Sequence, residues 1–117
     1  MEFIATQNKG FRIKFKNGLA VSVQWGTMNY CERRSLNITK IDAEQKEDFI
    51  KSSTAEVALF DEHDHFISIG EHDAVVGWLN PDQVARIIAC TQAATDTKEL
   101  EKEIKKFLKE DYEALYE

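Results

Sequence analysis

The stretch FRIKFKNGLAVSVQW, residues 11–25, constrains this chain more than any other. Apolar and basic residues alternate in its first half, which sets Phe11, Ile13 and Phe15 on one face of an extended segment and Arg12, Lys14 and Lys16 on the other. Asn17-Gly18 follows at once. A two-residue hairpin turn needs positive φ at both central positions, so Asn-Gly between alternating runs predicts an antiparallel pair. The returning strand, 19–25, directs Leu19, Val21, Val23 and Trp25 to one side and Ala20, Ser22 and Gln24 to the other, and Gly26 ends it. Whatever fold results must bury one face of this hairpin.

Farther along, TAEVALF at 54–60 and HFISIG at 65–70 read as two more strands, with Asp61-Glu62-His63-Asp64 as turn chemistry between them. AVVGWL at 74–79 reads as a fifth strand or extended segment, in which Gly77 and Trp78 set the strand-to-helix turn and Trp78 belongs to the core. A helix start is marked next: Asn80 caps, Pro81 takes the first helical position, Asp82 meets the positive dipole end and Gln83 completes a capping-box pattern. Val84, Ile87, Ile88 and Thr91 share one face of that helix, which runs to about Ala94 and packs on the sheet. A last helix begins after Asp96 or Thr97. Its apolar stripe is Leu100, Ile104, Phe107, Leu108, Tyr112 and Leu115, and Glu101 and Lys105 have the favourable i,i+4 order. That narrow seam either covers the chain's own sheet or associates with a second copy; self-association through it is the expectation, giving a homo-oligomer. Between the strands, residues 26–53 are polar and weakly periodic, with a variable excursion at 35–52 in which Asp42 caps a short helix through Ile50.

These elements define an α+β chain: an antiparallel sheet of about five strands in 1–79, opened by the N-terminal hairpin, then two C-terminal helices in 80–117. At 117 residues this is one domain, long enough to bury roughly 65% of its unfolded surface without disulfide or metal staples. Cys31 and Cys90 form no CxxC pair, and neither a signal-peptide run nor 18 consecutive apolar residues occurs, so a soluble cytoplasmic protein without membrane contact is expected. Fifteen basic against 21 acidic residues leave a net charge of -6, which opposes general nucleic-acid binding.

The densest recognition chemistry lies in the glycine-led loop after the second hairpin strand: Trp25, Asn29, Tyr30, Arg33 and Arg34. Aromatic rings stack on bases, Arg binds phosphate with a planar fork and Asn reads a polar edge, so this set suits a small nucleotide-type ligand or a partner protein. Trp25 and Tyr30 finishing the core beside solvated arginines explains the same letters. A second cluster holds all three histidines, His63, His65 and His72, among acidic neighbours. It offers a metal site or general acid–base groups, but equally an ordinary polar hairpin tip, and the spacings of zinc enzymes are missing. GxGxxG, GxxxxGK[ST] and GxSxG are also missing, Cys31 has no base at a diagnostic spacing, and no cofactor is expected.

GFRIKFKNGLAVSVQWGTMNYC, STAEVALFDEHDHFISIG and VVGWLNPDQVARIIA together resemble a pattern in small uncharacterised proteins of bacteriophages and prophages. The resemblance covers about two-thirds of the chain, leaves out 35–52 and the charged helix after Thr97, and carries no activity. It implies a non-enzymatic binding role in host takeover or counter-defence, for which two versions suit the residues. One is a sponge that sequesters a nucleotide-derived immune signal at Trp25, Asn29, Tyr30, Arg33 and Arg34, with Arg33→Ala weakening binding at unchanged melting behaviour. The other is an inhibitor that docks Asp61, Glu62, Asp64, Glu71 and Asp73 on a basic host defence protein. A metal-dependent hydrolase built on His63, His65 and His72 is the third expectation.

Overall fold

The computed structural model describes residues 1–6, 9–35, 51–70 and 73–116. The short helix expected from Asp42 to Ile50, and residues Glu71 and His72, lie outside the described residues. In chain order the elements are β1 (Glu2–Ala5), β2 (Gly10–Lys14), β3 (Ala20–Gln24), a 3-10 turn (Glu32–Ser35), β4 (Ala55–Phe60), β5 (Phe66–Ile67), β6 (Val76–Leu79), α1 (Pro81–Ala93) and α2 (Thr97–Tyr116). The architecture is the expected α+β one, an antiparallel sheet followed by two helices.

Strands β1 to β4 form a meander in sequence order, and the outer edge of β4 then carries two short strands in tandem. β5 pairs with Leu59 and Phe60, and β6 pairs with the Ala55–Val57 end. β1 was not foreseen, because EFIA is too short and too little alternating to announce a strand; it forms by pairing with β2, Phe3 opposite Ile13. The hairpin forms in the expected place with a different turn. Phe15 N–H donates to Leu19 O at 2.9 Å and Gly18 N–H to Phe15 O at 3.0 Å, and only Gly18 has positive φ (+88°). The loop therefore has three residues, a tight turn followed by a left-handed position, and Gly18 fills the one site where a Cβ is costly.

One sheet face carries the apolar alternation and the core. Val21, Val23, Val57 and Leu59 are buried against Val84 and Ile87 of α1 and Leu100, Ile104 and Phe107 of α2. α1 starts on the predicted capping box, with Asn80 Oδ1 accepting from Gln83 N–H at 2.8 Å and Gln83 Oε1 from Asn80 N–H at 2.9 Å. Its other end is fastened from the hairpin: Asn17 Nδ2 donates to the carbonyls of Thr91, Gln92 and Ala94 at 2.9, 3.3 and 3.0 Å. Carbonyls at a helix end lack the usual i+4 donors, and here Thr91 O also accepts the Ala94 N–H at 3.3 Å.

The stripe on α2 takes the intramolecular alternative. Leu100, Ile104 and Phe107 are buried in the chain's own core and the half-buried Leu108 packs against it, so these four, expected in self-association, make contacts within the chain. Arg86 of α1 lies 4.0 Å over the Phe107 ring, and Gln83 donates to Asp111, so the two helices hold each other side by side. The side chains of Tyr112 and Leu115 lie outside the described residues. Among the described residues, no helix is long and apolar enough to cross a membrane.

Candidate functional site

The loop from Gly26 to Ser35 is built by local bonds and then fastened at three places. Asn29 accepts from Gly26 N–H through Oδ1 at 2.9 Å, and Cys31, buried, aims its thiol at Gly26 O. Toward the sheet, Glu56 receives Asn29 Nδ2 at 3.3 Å and Tyr30 N–H at 2.9 Å. Toward residues 51–54, Glu32 accepts from the Ser53 hydroxyl and backbone N–H at 2.5 and 2.6 Å, while its own N–H donates to Thr54. The Ser53 hydroxyl first, then the Ser53 N–H, hold the Glu32 carboxyl below its ordinary value. Arg33 is buried, and its Nη1 donates to Lys51 O at 2.9 Å.

The third fastening reaches β6. Tyr30 O accepts from Trp78 N–H at 2.8 Å, and Tyr30 lies so close over Gly77 that a Cβ there would stand 2.3 Å from the Tyr30 Cβ. Ala55 pairs with Leu79 and Val57 with Val76, so Gly77 and Trp78 together oppose Glu56 alone. This is a β-bulge, a device that re-aims a side chain. Trp78 takes φ +52° within it, an outlier for a bulky residue. Its ring turns outward, 56% exposed, which corrects the expectation that Trp78 belongs to the core.

A layered cluster results. The Arg34 guanidinium lies 4.2 Å over the Tyr30 ring, and the Tyr30 and Trp78 ring centroids are 5.5 Å apart at 36°. Arg34 Nη1 also reaches Met28 O, and Met28 is 81% exposed beside the stack. Of the five residues expected to act together, the fold thus brings Tyr30 and Arg34 together on one exposed surface. Asn29 and Arg33 position the loop. Trp25 stands apart, edge-on to Phe11 at 6.3 Å, where it lines a cavity of about 350 Å³ with Val23, Leu79, Val84 and Ile88 beside residues 52–54. The residue that sequence reasoning missed is Trp78, and the signal available was Gly77 directly before it: a strand glycine marks a bulge or a close backbone approach.

His63 and His65 sit on a hairpin tip. Asp61 Oδ1 accepts from His63 and His65 N–H at 2.8 and 3.0 Å, and those bonds, His65 foremost, keep its carboxyl below the ordinary range. His63 and His65 are exposed with ring centroids 6.3 Å apart. Among the described residues, no group of three or more His, Cys, Asp or Glu is placed to hold a metal ion. Of the acidic set, Asp61 organises the turn and Asp64 pairs with Arg12 at 2.6 Å. Burial, and then the nearby Glu103, push the Cys90 thiol up, away from a reactive thiolate.

No protein-family model, curated protein or solved structure matches the chain.

Proposed function

We propose that this is a non-enzymatic binding protein that holds a nucleotide-type ligand, with the base against the Trp78 ring and a phosphate within reach of Arg34. The carrying observation is the exposed Trp78 at positive φ, because backbone strain of this kind persists only where surrounding structure enforces it and clusters at ligand sites. A base gains from stacking on an aromatic face whatever its identity. The Arg34 guanidinium behind Tyr30 adds charge, and among the described residues its Nη1 donates to Met28 O rather than to a carboxylate. In the phage setting that the sequence resemblance implies, the same site serves to sequester a nucleotide-derived immune signal. The test uses Trp25→Phe protein, in which Trp78 is the sole tryptophan, titrated with uridine and adenosine monophosphate. Saturable quenching of its fluorescence, weakened by Arg34→Ala, is the expected result; emission indifferent to either nucleotide would refute the reading.

A further inference from the structure

The face of the sheet opposite α1 and α2 carries a second cluster built like the first. Arg12 lies 4.3 Å over the Phe60 ring, and Phe60 meets Phe66 at 4.8 Å and 34°, just as Arg34 covers Tyr30 and Tyr30 meets Trp78 at 5.5 Å and 36°. Each series runs from a guanidinium through a partly covered ring to an outer ring more than half exposed, Phe66 at 57% and Trp78 at 56%. Both outer rings belong to strands on the same edge of β4. Phe66 stands opposite Phe60 and the Trp78 bulge opposite Glu56, so their strand positions are four residue steps apart along β4, about 13 Å at roughly 3.3 Å per residue.

We infer that the ligand is a short single-stranded oligonucleotide whose bases stack at two places, on Trp78 and on Phe66; this rests on the nucleotide reading above. A protein ring stacks on a base face only where that base has left its own neighbours, so two bases taken up at strand positions about 13 Å apart suit a single strand, whose bases unstack freely, rather than a duplex. Charge fits a short strand. Among the described residues, Arg34 and Lys14, the latter in the cross-strand row of Phe60 and Phe66, offer cations to phosphates on this side, and Asp64 already balances Arg12. The net charge of -6 works against capturing long nucleic acid from a distance, so binding here depends on stacking more than on phosphate contacts and has a shallow salt dependence.

Hexauridylate and hexathymidylate, compared with uridine monophosphate by fluorescence titration of Trp25→Phe protein, test this. The hexamers should bind at least about tenfold more tightly than the mononucleotide. Phe66→Ala should remove about that factor for the hexamers and leave the mononucleotide unaffected, and Phe66→Tyr, which keeps the ring, should restore it. A melting curve on each variant separates loss of the ring from loss of the fold. Hexamers no tighter than the mononucleotide, or hexamer affinity indifferent to Phe66→Ala in folded protein, would overturn the two-place inference while leaving one-base binding at Trp78 intact. Absence of binding by all three ligands would overturn both.

Discussion

Trp78 holds a left-handed backbone conformation that costs an L-residue roughly 1–2 kcal/mol, and its ring contact with Tyr30 returns about 0.5–1.5 kcal/mol. Asparagine tolerates the same conformation far better. Trp78→Asn is therefore expected to change unfolding free energy by less than about 1 kcal/mol in urea titrations while abolishing nucleotide binding. The two adjacent arginines separate just as sharply. Arg33→Ala removes a buried side chain bonded to Lys51 O and should lower stability by about 1–3 kcal/mol, which replaces the expectation of unchanged melting. Arg34→Ala, at the surface, should leave the melting temperature nearly unchanged and weaken binding. Asn17 offers a third contrast. Asn17→Ala loses three bonds to the end of α1, about 1–2 kcal/mol, and Asn17→Asp should cost more because a carboxylate would face carbonyls at the negative helix terminus.

Elements whose cause lies within a few residues were legible in the sequence. The capping box of α1 is such a case, because Asn80 and Gln83 satisfy each other's N–H groups without help from elsewhere. β2 and β3 announced themselves by alternation. The three-residue loop between them was not legible, since Asn-Gly serves both turn types and the register was set by β2 meeting β3. The same loop recurs between β4 and β5: Asp61 N–H donates to His65 O, Asp64 N–H to Asp61 O, and Asp64 takes φ +61°. Besides Glu56, the carboxylates of Glu32, through Ser53, and of Asp61, through His63 and His65, hold loops together. Both are depressed from ordinary values of 4.5 and 3.8, so each contributes stability fully above its unfolded value and loses it as pH falls through the lower folded value. Urea midpoints should accordingly fall as pH drops below about 4.5, and Glu32→Gln should flatten part of that fall.

Across the whole molecule, the burial of α2 decides what its apolar stripe is for. Ile104 is fully buried against the core, so Ile104→Ala should cost about 2–5 kcal/mol, read as a loss of unfolding free energy at every protein concentration. A midpoint that moved with concentration would instead mean that the residue acts between copies. By itself the sequence determined the α+β class, the hairpin, both helix starts and which strand faces are apolar, because those follow from periodicity and from bonds between near neighbours. Only the tertiary structure decided that Tyr30 and Arg34 belong with Trp78 while Trp25 belongs with Phe11. That division depends on β6 pairing with β4 in a register that forces a bulge at Gly77 and Trp78, and although Gly77 hints at a bulge, nothing local says which strand, some twenty residues away, it pairs with or which side chains the pairing brings together.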